Sequence, residues 1–425
     1  MINSFPKSIL ITQSELNNYA GSEIVTLELA EYFSLKGIRV HVLSYSYGGP
    51  IDKEFKKLKN VSIHTSTKDI EFENIDLFWI HHNLIPLQLL ELAEKKILKA
   101  KVIFHHMSPF LPIEFPFLPR VEKYLADLIL FNSQETKKYI EDKLSDLDIK
   151  GEVFNNPAPD YFNIPLAEKK YRKNIKKILI VSNHVPEEIL TATNQLKDLG
   201  VIVKTFGISI PHVFKLITPR DLLWADVVIS IGKTVQYAIL SGVPVYCYDH
   251  FGGPGYLDQD NYKRANNLNF SGRGYSKKDS ATIVDELFNQ YEKSQKFAQH
   301  IHKNLSTEYL LSKKMSSILN DLKSFNSDRV KTLSESDKFS FIALSEQLKN
   351  INTNFYNAIN MHRDINSVHS NEIRSLREQI DGMINSKSNV HNEISSLREQ
   401  IDGMINSKSW RITEPLRILN KKYNK

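Results

Sequence analysis

Residues 224–258 read WADVVISIGKTVQYAILSGVPVYCYDHFGGPGYLD, and this stretch decides the fold class. Apolar ADVVIS has the look of a buried strand, and IGKTVQ turns the chain into a helix. SGVP ends that helix, VYCYD is a second buried strand, and HFGGPGYLD follows as a glycine-rich loop. A strand–helix–strand unit of this kind presents two loops at the carboxyl ends of neighbouring parallel strands, where open α/β sheets bind their ligands. The amides that open the helix at Lys233, Thr234 and Val235 are donors without intrahelical partners, with the positive end of the helix dipole behind them. They suit a diphosphate. Gly252, Gly253 and Gly255 are read as letting the second loop approach a ligand with no Cβ in the way.

Outward from this unit the pattern repeats. Upstream, SILIT, IRVHVLSY, NVSIHT, DLFWIHH, KVIFHH and LILFNS are short strands, apolar on both faces, as in a parallel sheet covered by helices. SEIVTLELAEYFSLKG is a helix stopped at Gly37, and SQETKKYIEDKL is a helix capped by Ser133. A second alternation starts after the basic run EKKYRKNIKK (168–177), which resembles an interdomain linker. KILIVSN and VIVKTFG are its strands, PEEILTATNQLKDLG its first helix, and helices from about Ser280 to Ser324 close it. The fold class expected is α/β, with two Rossmann-like domains, 1–165 and 166–325, facing each other across a cleft.

From about Ser334 the strand signals vanish. NEIRSLREQIDGMINSKS (371–388) recurs three heptads later as NEISSLREQIDGMINSKS (392–409). Ile373, Leu376, Ile380, Met383, Val390, Ile394, Leu397, Ile401 and Met404 form one seam, interrupted by Lys387. Isoleucine at a with leucine or methionine at d favours two parallel strands, so residues 334–409 are expected to form a coiled-coil homodimer. The alternative is a single helix folded back on the globular body. The last segment, 410–425, is basic and amphipathic. It suits a peripheral contact with an anionic membrane surface, or it is simply a charged, frayed end.

Composition excludes some classes. The chain has 425 residues, too many for one core. It is 41% hydrophobic and 24% charged, an ordinary soluble balance, and a net charge of +6 does not call for nucleic acid. No stretch reaches the length of a membrane span, and the N-terminus lacks a secretory apolar core. The one cysteine, Cys247, sits in an apolar strand as a buried thiol. A cytoplasmic location is expected, peripheral at the inner membrane face.

With these residues in view, roughly residues 6–325 resemble a GT-B glycosyltransferase of the family 4, glycogen-synthase-like, type. LNNYAGSEIVTLELAEYFSLKGIRVHVLS resembles the family's opening loop and helix, with Gly21, Ser22 and Glu23 in the turn that meets donor phosphates or acceptor. ADLILFNSQETKKYI and VFNNPAPDYF resemble its interdomain strand and exit segment, and AILSGVPVYCYDHFGG its E-A-M-A-x-G-x-P-V segment. The resemblance implies a nucleotide-sugar held mainly on the C-terminal domain, with no metal and no further cofactor. The S-W-R-x-T-x-P-L-R ending resembles that of bacterial polysaccharide-assembly glycosyltransferases, which implies a glycan or lipid-linked acceptor. Departures are plain: Gln236 stands where the family has a ribose-gripping Glu, and Val228 where its companion Glu stands. IVSNHVPEE carries only His184 where basic residues usually follow the strand.

Glycosyl transfer must stabilise a leaving diphosphate and position an acceptor hydroxyl. Gly232, Lys233 and Thr234 are the phosphate candidates, with Gln236 as ribose contact. IGKT is not a Walker A loop, because Val227 occupies the first glycine position. His82 and His106 end two strands and are candidates for hydroxyl donor or base, or are packed structural histidines. No third ligand argues for zinc. Asp249 and His250 either touch the donor sugar or, for Asp249, cap the loop. Glu23 orients an acceptor or favours the helix dipole. The function expected is a transferase building a surface glycan. A second enzyme on the same fold, an epimerase or glycerol-phosphate-type transferase, and a non-catalytic sugar-nucleotide-binding scaffold are the alternatives.

Overall fold

The protein is described here from a computed structural model covering residues 6–110, 114–207, 215–324, 333–385 and 390–405. It divides into two compact units, Met1–Lys349 and Asn350–Lys425. The first unit contains two sheets. β1 (Ser8–Leu16), β2 (Arg39–Tyr47), β3 (Val61–His64), β4 (Leu77–Ile80), β5 (Lys101–His106), β6 (Leu128–Phe131) and β7 (Glu152–Val153) form a seven-stranded parallel sheet in the order β3-β2-β1-β4-β5-β6-β7. Around it lie α1 (Gly21–Leu35), α2 (Asp52–Phe55), α3 (Leu87–Glu94), α4 (Pro119–Leu125) and α5 (Gln134–Lys143).

β8 (Lys177–Val181), β9 (Ile202–Phe206), β10 (Val227–Ser230), β11 (Val245–Asp249) and β12 (Gly252–Tyr256) form the second sheet, ordered β12-β11-β10-β8-β9. Its helices are α6 (Glu187–Asp198), α7 (Pro219–Trp224), α8 (Lys233–Leu240), α9 (Tyr262–Asn267), α10 (Ser280–Asn289) and α11 (Tyr291–Leu305). α12 (Leu311–Ser324), α13 (Glu335–Asn385) and α14 (Val390–Ile405) follow among the described residues.

Alternation along each strand splits the apolar side chains between two faces. Ile9 and Ile11 enter one core with α1, while Leu10 joins Phe78, Val102 and Phe104 in another on the opposite face. The second sheet is divided likewise, with Leu179 and Val228 packed on α8, and Ile178, Ile180, Val227 and Ile229 packed with residues of α6 and α10.

Three sequence expectations need correction. The HFGGPGYLD stretch is not a loop, because Gly252–Tyr256 folds back as antiparallel β12 on β11. The glycines serve that fold-back: a Cβ on Gly253 would lie 2.0 Å from the Cys247 carbonyl oxygen. Gly253→Ala is therefore expected to cost about 3 kcal/mol, read as a shifted denaturant midpoint.

The basic run 168–177 lies on the connection between the two sheets, and it is packed. Lys169 is buried and donates to the Leu222 and Ala225 carbonyls, and Arg172 pairs with buried Asp226 at 2.6 Å.

α12, expected in the second domain, returns to the first. Leu311, Met315, Ile318, Leu319 and Leu322, spaced for one helical face, complete the core around β1 and α1. The crossing is hydrogen-bonded to the outgoing one: Ala158 N donates to Tyr309 O at 2.7 Å and Leu311 N to Ala158 O at 2.9 Å.

The tail helix also begins on the body. Phe341 of α13 is buried in the core beneath β4 and β5, and Lys338 pairs with Glu94 at 2.7 Å. The second unit, where described, is helical, comprising the rest of α13 and α14. Ile373, Leu376 and Ile380 are half-buried between exposed neighbours, and Leu397 is buried. Segment 410–425, read as a basic amphipathic end, lies outside the described residues.

Candidate functional site

Each sheet reverses its strand order beside its first strand, β1/β4 in the first and β8/β10 in the second. Crevices at such points, outside the carboxyl ends of the strands, are where α/β sheets take ligands. A cavity of about 430 Å³ opens at the second of them and is walled on its far side by α1 and its preceding loop. Gly21, Gly232, Lys233, Thr234, Asp249 and His250 line it. So do Ser182, Asn183 and His184 from the end of β8, Phe206 and Gly207 from the end of β9, and Glu28, Glu31 and Tyr161 opposite.

α8 opens on this cavity. Its N-cap is Gly232 at φ +60°, a conformation natural to glycine, and no side chain caps the helix. Thr234, in the first turn, is half-buried on the cavity wall. Asp249 is tied in place: Ser182 Oγ donates to its Oδ2 at 2.9 Å and the His250 amide to its Oδ1 at 2.7 Å.

Lys233 has a different occupation from the one read from sequence. Its buried Nζ lies 2.6 Å from Glu28 Oε2 and donates to the carbonyls of Asn156 (3.1 Å) and Pro157 (2.8 Å). Tyr237 donates to the other oxygen of Glu28. Burial pushes the Glu28 carboxyl up and the Lys233 ammonium down, and each group's attraction for the other opposes that. Three oxygens surround Nζ and two donors reach Glu28, tying α1 of one lobe to α8 of the other. Gln236 is locked alongside, its amide donating to Asn155 O at 2.7 Å, and it is absent from the cavity wall.

The remaining candidates are not brought to the cavity. The Glu23 carboxylate accepts from the Asn17 (2.5 Å) and Asn18 (2.7 Å) amides and so pins the loop before α1. Ser22 Oγ accepts from Gln13 Nε2 at 3.1 Å. Gly252 and Gly253 belong to β12.

His82 and His106 are buried at the strand ends of the first lobe. His82, at φ +53°, places Nδ1 2.7 Å from Ser14 Oγ and Nε2 3.3 Å from Glu114 Oε1. His106 Nε2 meets Glu122 Oε1 at 2.6 Å. Behind them Trp79 Nε1 donates to His81 Nε2 at 3.0 Å, and His81 Nε2 lies 3.1 Å from His105 Nδ1. Burial drives the pKa of His105 down to about 3, and that of His81 well below its ordinary value, so both rings are neutral.

His106 is the opposite case. Burial disfavours its charged form, but Glu122, helped by Glu114, outweighs this and raises its pKa. A folded-state pKa above the unfolded one adds stability that is complete below the unfolded value and fades as pH rises through the folded value. The stability that the wild type gains over Glu122→Gln should therefore shrink as pH climbs upward from about 6.5, read as the difference between their melting temperatures, while the neutral His81 and His105 contribute alike to both.

Strand-end positions explain part of what was missed. Ser182 and His184 follow the first strand of the second sheet, where the topology rule points. Glu28 and Tyr161 carry no local signal, being brought in by the lobes' packing. Among the described residues no cluster of three or more His, Cys, Asp or Glu is placed to hold a metal ion. Likewise no described helix is long and apolar enough to cross a membrane.

No protein-family model matches the chain, and no curated protein matches it. Among solved structures it is similar to HepE from Anabaena, determined in complex with UDP-glucose, at 13% identity and a TM-score of 0.47, covering 75% of this chain and 99% of that one. It is similar to a glycosyltransferase from Rickettsia africae at 15% identity and 0.48, covering 76% and 99%. A third is MurG from Acinetobacter baumannii, at 13% and 0.43, covering 74% and 99%.

Proposed function

We propose that this protein is a glycosyltransferase that takes a nucleotide-sugar in the cavity at the end of β8 and β10 and passes its sugar to a glycan or lipid-linked acceptor of a bacterial surface polysaccharide. The observation that carries the reading is the uncapped N-terminus of α8 opening on a cavity between two lobes. The first-turn amides of α8, with the helix dipole behind them, stabilise a departing diphosphate without a metal. Gly232 and Thr234 are the proposed phosphate contacts, and Asp249 and His250 the proposed sugar-side contacts. Lys233 supports the site by holding the lobes together. The sequence resemblance to GT-B enzymes favours transfer over a binding-only role.

The test is release of free nucleoside diphosphate from UDP-, GDP- and ADP-sugars in the presence of a polyprenyl-linked acceptor. Turnover with one donor supports the reading; binding without turnover favours a scaffold.

The second unit is proposed to pair two copies in parallel through the heptad seam, and segment 410–425 to rest on the inner membrane face. Ile373, Leu376 and Ile380 of α13, half-buried, and Leu397 of α14 lie on that seam. The full chain should sediment as a dimer at micromolar concentration, and Ile380→Asp with Ile401→Asp should convert it wholly to monomer. A wild-type monomer rules out the pairing.

A further inference from the structure

We infer that the anionic group of the donor is held by two histidines, His184 and His250, so that donor binding takes up protons. The inference rests on the nucleotide-sugar reading above. It starts from what the cavity lacks. Each lysine on its wall has a carboxylate partner: Lys233 with Glu28 at 2.6 Å, Lys215 with Asp221 at 2.7 Å, and Lys57 with Glu54 at 2.6 Å. No arginine is among the described residues lining the cavity. A diphosphate bound there with only helix amides would keep most of its charge uncompensated.

The two histidines fill that gap. His184 follows β8 and His250 follows β11, so in the sheet they flank β10, the strand that leads into α8. Both line the cavity, with ring centroids 6.1 Å apart and planes at 89°. Their backbones are knitted together. The His184 amide donates to Ser182 Oγ at 3.0 Å, that hydroxyl donates to Asp249 Oδ2 at 2.9 Å, and the His250 amide donates to Asp249 Oδ1 at 2.7 Å. His250 Nδ1 lies 3.4 Å from Asp249 Oδ1, within reach of an ion pair when the ring is protonated. Protonation on both nitrogens then leaves Nε2–H as a charged donor.

The other charged groups on the same wall are Asp249 and Lys233. Glu28, Glu31 and Glu54 stand on the opposite wall. Without a ligand, burial and the neighbouring His250 lower the pKa of His184, with Asp249 opposing. An arriving diphosphate reverses that balance, because a dianion favours the charged ring. Binding is therefore expected to tighten as pH falls and weaken as it rises, whereas a site built on lysine or arginine, charged throughout this range, would show no such dependence.

The test is calorimetric titration of the full chain with UDP-glucose, GDP-mannose and ADP-glucose. Their phosphodiester groups hold constant charge across the range, so any pH dependence belongs to the protein. Affinity should fall roughly tenfold or more between about pH 6 and about pH 8, as expected when histidine protonation is linked to binding. Heats in buffers of different ionisation enthalpy should show proton uptake. His184→Gln and His250→Gln should each weaken binding at the lower pH and flatten the profile. His184→Arg should bind well at both pH values, which separates lost charge from lost fold. Binding by the wild type with the same affinity at both pH values, or glutamine variants that bind like wild type at the lower pH, would overturn the histidine assignment and leave the donor reading standing. Binding of none of the three at the lower pH would overturn both.

Discussion

Lys233→Met should destabilise the protein by about 3–5 kcal/mol, the usual consequence of leaving one member of a buried ion pair without its partner. In a body of this size the melting temperature should drop on the order of 10 °C. The stranded group is Glu28, which would keep only its Tyr237 hydrogen bond in a dry setting. The Asn156 and Pro157 carbonyls would lose their donor as well. Adding Glu28→Gln removes the orphaned charge, so the double variant should recover part of the loss, and the cycle measures the coupling. A lysine acting as a phosphate clamp gives a different result: turnover lost, stability unchanged. Differential scanning fluorimetry on the two single variants and the double one decides between them.

The second large effect concerns Thr234→Glu. A carboxylate in the first turn of α8 is favourable for the helix, worth a few tenths to about 1 kcal/mol against the dipole. Stability should hold or rise slightly. The same carboxylate faces the cavity where the diphosphate is proposed to sit. Two like unit charges about 4 Å apart at an effective dielectric near 20 repel by about 4 kcal/mol. Donor affinity should therefore fall a hundredfold or more, measured by titration with whichever nucleotide-sugar the wild type binds. Opposite movements of stability and affinity in one variant are hard to obtain unless the ligand's anion lies at that helix end. Unchanged affinity would move the phosphate elsewhere.

The α/β architecture was legible because its signals are local. β1 places Ile9 and Ile11 on one face and Leu10 on the other, the pattern of a strand buried on both sides. Ser133 caps α5 by accepting from the Thr136 amide, and Gly37 follows α1 at φ +74°. β12 escaped because Gly-Gly-Pro-Gly has poor strand propensity, and only the close approach to Cys247 makes it a strand.

The lining of the cavity was legible where strand ends decide it, at Gly232, Thr234 and Asp249. It was misread where a distant partner decides it. Nothing near Lys233 or Gln236 in the sequence announces Glu28 or the Asn155–Pro157 carbonyls. The two histidine pairs showed the same limit: strand ends were found, but the tertiary positions of Ser14, Glu114 and Glu122 made them a buried network.

The return of α12 bears on how the polypeptide matures during synthesis. A ribosome releases the seven strands of the leading sheet well before residues 311–322, yet Leu311, Met315 and Ile318 are part of that sheet's packing. The leading half must wait, with apolar surface uncovered, while the whole trailing half emerges. Chaperone engagement during elongation, and low yield of any fragment ending near residue 310, follow from that threading order.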